Sequence, residues 1–250
     1  MRFAVTGGAG FIGSHITKLL LEKNHDVLVL DNMHTGKKEN LHNSDKLEFR
    51  QVDVRDYSLL ENHIQNMDGI FHEAGLTLVS ESFEKPEEYH DVNVNGTENI
   101  FKIAKKIGVK VVYASSSSVY GKTEKIPIKE DEPKNPINPY GKTKVEKDNL
   151  AERYSKERCS IIGLRYFNVF GKGQTGTYAG VITKFLECLK NKTSPIIYGD
   201  GKQVRDFVSV EDIASANLQA MLSDTKNGFF NIGTGVPTTI LELAKIMIKI

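Results

Sequence analysis

A chain of 250 residues, 39% of them hydrophobic, is long enough for one large domain or for a domain with a smaller lobe. Its 33 Lys and Arg against 32 Asp and Glu give a formal net charge of +1, so no global field favours nucleic acid or an anionic membrane, and any anion must be held by a local site. The two cysteines, Cys159 and Cys188, have neither metal-ligand spacing nor a pairing pattern, which argues against a disulfide or a metal site.

Along the chain, short β-branched runs alternate with longer amphipathic stretches. Strands are predicted near 2–6, 27–31, 48–53, 69–73, 110–115 and 160–166, and helices near 11–23, 57–66, 86–107, 138–157 and 178–190. This is the pattern of an α/β fold, a doubly wound parallel Rossmann sheet with helices on both faces. After Phe167 the texture changes to a glycine-rich loop from Gly171 to Gly176, then to Ile196-Ile197-Tyr198, predicted as a short strand ending in a turn at Gly199-Asp200-Gly201. A helix over 210–223, with Ser209 and Asp212 as a variant capping box, is expected to return to the main sheet. Thr239 and Glu242 form a better capping box for a last helix. Residues 1–168, with 207–226 returning, are therefore expected to form the sheet domain, and 169–206 with 227–250 a smaller C-terminal substrate lobe. The last helix is still apolar at Met247-Ile248-Lys249-Ile250, so a longer natural chain is expected. No stretch reaches the length of a membrane span or a signal core, and a cytoplasmic location is expected.

The first chemistry-bearing segment is Thr6-Gly7-Gly8-Ala9-Gly10-Phe11-Ile12-Gly13, between the first strand and the first helix. Glycines at 7, 10 and 13 let backbone approach a pyrophosphate at a helix N-terminus. The second strand ends in Asp31, which can accept hydrogen bonds from both ribose hydroxyls and would repel a 2′-phosphate. The cofactor read from this context is NAD rather than NADP. Lys37 and Lys38 nearby read as solvated loop lysines, and Asp53, closing the third strand, is placed to meet the adenine.

Tyr140 and Lys144 lie four residues apart after Asn138-Pro139, a helix N-cap followed by proline at the first helical position. On a helix they share a face, and the ammonium together with the helix dipole favours a phenolate able to take a proton from an alcohol. The same spacing at Tyr198 and Lys202 spans a turn and carries no such expectation. Four hydroxyls, Ser115 to Ser118, stand at the carboxyl end of the fifth strand, where open α/β sheets bind ligands.

These segments, with His72-Glu73-Ala74-Gly75, Asp91 to Thr97, Arg165-Tyr166-Phe167-Asn168 and Arg205-Asp206-Phe207, make the chain resemble the NAD-dependent epimerase/dehydratase family of extended short-chain dehydrogenases/reductases, most of all its UDP-glucose 4-epimerase type. The resemblance implies Ser116, Tyr140 and Lys144 as catalytic residues. It implies a cofactor site at Gly7, Gly10, Phe11, Ile12, Gly13, Asp31, Asn32, Asp53, Val54, Ala74, Gly75, Tyr140, Lys144 and Phe167. It implies a UDP-sugar site at Ser116, Ser118, Tyr140, Asn168, Ile196, Ile197, Tyr198 and Arg205, with Arg205 gripping the diphosphate, and a homodimer through the helices near 86–107 and 138–157. Related 4,6-dehydratases carry an Asp-Glu pair where this chain has Ser117 and Ser118, and related decarboxylases keep the glutamate. Many epimerases have Lys or Gln where this chain has Thr77. The implied reaction is 4-epimerisation of a UDP-hexose; 4-epimerisation of a UDP-uronate, another nucleotide-sugar oxidoreduction or dehydration, and a non-catalytic NAD-binding scaffold are the alternatives.

Overall fold

The β-branched runs become strands whose side chains alternate between two helix-covered faces. The computed structural model describes residues 1–123, 125–174 and 180–249. In chain order the strands are β1 (Arg2–Thr6), β2 (Asp26–Asp31), β3 (Leu47–Gln51), β4 (Gly69–His72), β5 (Lys110–Ser116), β6 (Ile161–Tyr166), β7 (Asn168–Phe170), β8 (Val204–Arg205), β9 (Phe207–Ser209), β10 (Asn227–Ile232) and β11 (Thr238–Thr239). The α-helices are α1 (Phe11–Glu22), α2 (Tyr57–His63), α3 (Val79–Glu84), α4 (Pro86–His90), α5 (Gly96–Ile107), α6 (Pro139–Lys156), α7 (Val181–Lys190), α8 (Val210–Leu222) and α9 (Ile240–Ile248).

Seven strands form one sheet in the order β10-β6-β5-β4-β1-β2-β3, and each neighbouring pair is parallel. With a side-chain period of two, Ala4, Leu28, Ile70 and Tyr113 face a core closed by Leu60, Ile100, Phe101 and Ala151 of α2, α5 and α6. Phe3, Val29, Phe71 and Val112 face the opposite core, closed by Ile16 and Leu20 of α1 and Ile213 and Met221 of α8. Phe101 meets Tyr113 and Tyr154 edge to face at centroid distances of 5.5 and 5.7 Å. Burying such a ring contributes about 2–3 kcal/mol. The strand order reverses between β1 and β4, which opens a crevice at their carboxyl ends. A third, smaller core joins Phe185 of α7 to Ile240, Leu243, Ala244 and Met247 of α9.

Several details differ from the sequence expectation. The single helix expected over 86–107 is divided into α4, a π-helical turn at Asp91–Asn95, and α5. At the widened turn, the Asn93 carbonyl accepts from Thr97 Oγ1, and the Asn93 side chain pairs with both backbone groups of Leu76 and with Thr143 Oγ1. These bonds take the place of a regular helical turn.

Residues 227–232, expected in the smaller lobe, are instead the seventh strand of the main sheet, paired along β6. The Asn227-Gly228 start reads as a turn, which hid the strand. Ile196–Tyr198 is not a strand; the segment after its turn, Val204–Arg205, pairs with Thr238–Thr239 instead. The Ser209 hydroxyl caps Glu211 rather than Asp212, whereas Thr239 and Glu242 form the full capping box. Residues 178 and 179, expected to open α7, Thr175 and Gly176 of the glycine-rich loop, and Ile250 lie outside the described residues. Among the described residues no helix is long and apolar enough to cross a membrane, and no group of three or more His, Cys, Asp or Glu could hold a metal ion.

Candidate active site

The glycine loop after β1 crosses the crevice opposite Ala74. Gly7 has φ +67°, and a Cβ there would come within 2.7 Å of the Ala74 nitrogen. A Cβ on Gly13 would collide with the Gly7 carbonyl, so the first turn of α1 can lie against the loop only with glycine at that position. Gly10, the N-cap of α1, supplies no side-chain acceptor. The first N–H groups of the helix are thereby left for an anionic ligand.

His72 braces this loop from below. It is fully buried, with Nδ1 2.7 Å from Thr6 Oγ1 and Nε2 2.9 Å from Thr97 Oγ1. Thr97 spends its proton on the Asn93 carbonyl, so Nε2 donates to Thr97 and Nδ1 accepts from Thr6. The ring is neutral: burial, and then the charges of Lys147 and Lys144, hold its pKa well below 6.5.

At the far end of the crevice the buried Asp31 carboxylate accepts from the N–H groups of Ala9 (3.0 Å) and Met33 (2.8 Å). Burial raises its pKa, and these bonds oppose the rise. Asn32, Val54 and Arg55 line the same end, but Asp53 does not. Its carboxylate is held by Arg55 through Nε (2.9 Å) and a second nitrogen (2.8 Å), and by Asn32 Nδ2 (2.9 Å). The Arg55 bond pulls its pKa far down. Its partner Arg55 lines the cleft beside Asn32.

At the other end, Ser116, Tyr140 and Lys144 meet on one wall. Asn138 caps α6 by accepting from Gly141 N at 2.7 Å, and Pro139 opens the helix. Lys144 is buried, donates to the Ala114 carbonyl at 3.0 Å, and holds Nζ 5.4 Å from the centre of the Tyr140 ring. Ser116 Oγ accepts from Ser118 N and donates to Ser118 Oγ, both at 3.1 Å. The resulting cleft, about 360 Å³, is lined by Gly7, Gly10, Phe11, Ile12, Gly13, Asp31, Asn32, Val54, Ala74, Gly75, Ser116, Tyr140, Lys144 and Phe167.

A second cavity of about 450 Å³ adjoins it, sharing Val169 and Gln174. Asn168, Ile196, Tyr198 and Arg205 line it. Ser118 does not, and Ile197 packs into the core of the smaller lobe instead. The exposed Arg205 guanidinium donates to the Val204 carbonyl (2.8 Å), while Asp206 accepts from Thr234 and Gly235.

Four residues with no role foreseen from the sequence support the wall. Asp148, one turn beyond Lys144, accepts from Tyr113 (2.7 Å), Ser115 (2.8 Å) and Arg165 (3.0 Å), all buried, and ties α6 to β5 and β6. Ser82 Oγ accepts from Tyr140 N at 3.2 Å. Glu73 lines the cleft beside Tyr166. Lys147 is fully buried, its Nζ without a hydrogen-bond partner among the described residues and 5.4 Å from the centre of the Tyr113 ring. Burial, and then the charge of Lys144, pushes its pKa well down.

A dinucleotide crevice at the switch point of a parallel sheet, with Ser, Tyr and Lys at one end, defines an extended short-chain dehydrogenase/reductase. The model of the NAD dependent epimerase/dehydratase family matches residues 3–233, and the chain belongs to that family, with NAD as its cofactor. It is 43% identical over 252 residues to a putative UDP-glucose 4-epimerase of Methanocaldococcus jannaschii, covering 97% of this chain and 80% of the relative. It matches the solved UDP-N-acetylglucosamine 4-epimerase of Methanobrevibacter ruminantium at a TM-score of 0.95 and 37% identity, over 99% of this chain and 81% of that one. A dTDP-glucose 4,6-dehydratase of Streptomyces venezuelae solved with NAD bound matches at 0.91 and 30%, over 100% and 80%.

Proposed function

We propose that this protein interconverts the C4 epimers of a UDP-hexose through a transient 4-keto sugar. The observation that carries the reading is that Ser116, Tyr140 and Lys144 share one cleft while hydroxyls, Ser117 and Ser118, follow Ser116 in place of the carboxylates that eliminating water or carbon dioxide would use. Gly7, Gly10 and Gly13 accommodate the NAD diphosphate at the N-terminus of α1, and Asp31 faces its ribose. Held there, NAD would supply the hydride acceptor and donor for carbon 4 of the sugar.

Tyr140 takes the proton of the C4 hydroxyl and later gives it back. The Lys144 ammonium and the N-terminal end of α6 stabilise its phenolate. Ser116 releases Ser118 Oγ and donates to the same sugar oxygen. Returning hydride to the other face requires the keto sugar to turn, so the nucleotide is held firmly and the hexose loosely. Asn168, Ile196, Tyr198 and Arg205 hold the nucleotide, with the guanidinium on the diphosphate oxygens. A homodimer through α4, α5 and α6 belongs to the same reading, and light scattering of the purified protein tests it.

The function is tested by incubating the protein with UDP-glucose, UDP-N-acetylglucosamine or UDP-glucuronate, without added NAD, and identifying products. A C4 epimer of UDP-glucose or UDP-N-acetylglucosamine supports the reading, and epimerisation of UDP-glucuronate alone assigns the site to uronates instead. A dehydrated or decarboxylated sugar, or no turnover of any of the three, overturns it.

A further inference from the structure

Glu73 stands where β4 ends, in the wall of the crevice that also holds Tyr140, Lys144 and Ser116. Its Oε1 accepts from the Tyr166 hydroxyl at 3.0 Å, which in turn accepts from Asn217 Nδ2 at 2.7 Å. Its Oε2 is closed to solvent and has no hydrogen-bond partner among the described residues. Its own backbone N–H is fixed to the Thr6 carbonyl at 3.1 Å, so the side chain is anchored to the strand that starts the glycine loop. A carboxylate held this way keeps one oxygen unpaired in the wall of the cleft, beside the lysines of α6.

We propose that Glu73 is the counter-ion of the cofactor ring: its carboxylate favours oxidised NAD, and it takes up a proton from solvent when the reduced cofactor occupies the cleft.

The groups facing it can be named on each side. Lys144 and Lys147 approach from α6, Tyr166 from β6, and Asn217 from α8 through Tyr166. His72, next in the chain, has both ring nitrogens engaged by threonines and is neutral. Burial is the main influence on Glu73 and raises its pKa to about 7, against the Tyr166 bond and the two lysines. Near neutral pH the group therefore stands between its two forms. A positive ring beside it favours the carboxylate, and a neutral ring relaxes that preference. By linkage, the proton that distinguishes the two cofactor complexes makes their relative affinity depend on pH. The charge balance closes: hydride addition removes one positive charge from the ring, and proton uptake removes the one negative charge that faced it.

The test uses direct binding, so it is independent of which sugar is turned over. Protein freed of cofactor is titrated with NAD+ and with NADH between pH 6 and pH 8. For the wild type, the preference for NAD+ over NADH should rise with pH several-fold across this interval, bounded by about tenfold per unit for one proton. Glu73→Gln keeps an acceptor for Tyr166 and cannot ionise, so its ratio should not change with pH. Tyr166→Phe keeps the carboxylate and loses the bond that favours it, so its midpoint should move to higher pH. A pH-independent ratio in the wild type overturns the proposal, as does a dependence that persists in Glu73→Gln. Should Glu73→Gln fail to fold, an unmoved midpoint in Tyr166→Phe overturns it equally, because the titrating group would then lie elsewhere.

Discussion

The backbone N–H of Tyr140 donates to the buried hydroxyl of Ser82, 3.2 Å away, so the first turn of α6 is fastened to α3. The Ser82 proton goes to the Val79 carbonyl at 2.6 Å, which fixes the hydroxyl as an acceptor. One of the N–H groups that a helix start leaves unsatisfied is thus supplied from another element. Ser82 is a positioning residue: it sets where the phenol stands.

Ser82→Ala should lower kcat about tenfold with little change in KM for the UDP-sugar, and Ser82→Thr should restore most of it. Steady-state kinetics give the split. Loss of the cap should also cost about 1 kcal/mol of stability in denaturant titration. A loss of stability with kcat unchanged would make Ser82 merely structural.

Tyr140→Phe removes the proposed base and keeps the ring. Turnover should fall by about 10²–10⁴, while calorimetry finds NAD and UDP binding close to wild type. Near-normal turnover would assign the base to another group.

Asp148→Asn should destabilise the fold by about 3–5 kcal/mol, because it leaves the Arg165 charge buried without its partner. Tyr113 and Ser115 lose the same acceptor, so part of the cost should remain when Arg165 is also changed to Met. Chemical denaturation of the single and double variants separates the two contributions.

His72 and Glu73 give the folded protein opposite pH responses. Glu73 has its folded value raised from 4.5 to about 7. Between these values the native chain keeps a proton that the unfolded chain has released, so its contribution falls as pH rises. His72 is depressed below 6.5, so the unfolded chain gains a proton that the native one refuses, and stability is lost as pH falls below that value. Glu73→Gln should therefore gain on the wild type between pH 5 and pH 8, by on the order of 1–2 kcal/mol. Thermal melts at the two pH values measure it. A gain in the opposite direction would contradict the burial of this carboxyl.

The six expected strands and the helices that carry the glycine loop and Tyr140 were legible because local chemistry specifies them: period-two apolar runs, glycines where a Cβ finds no room, and a proline after an asparagine cap. The division of the 86–107 helix was not, because it depends on Asn93 reaching Leu76 and Thr143, contacts that exist only after folding. Ser116, Tyr140 and Lys144 were expected on one wall, and the structure brings them there. Ser82 gave no signal at all, since a serine in a short polar stretch looks the same whether it faces water or a helix start. The end of the third strand was set too late for a related reason: β3 stops at Gln51, and the Asp53 carboxylate beyond it is engaged by Arg55 two residues on.

Val169 and Gln174 line both cavities. Residues shared in this way give the two cavities a common wall, and any coupling through it is reciprocal: a ligand in one changes the hold on a ligand in the other by the factor by which its own hold is changed.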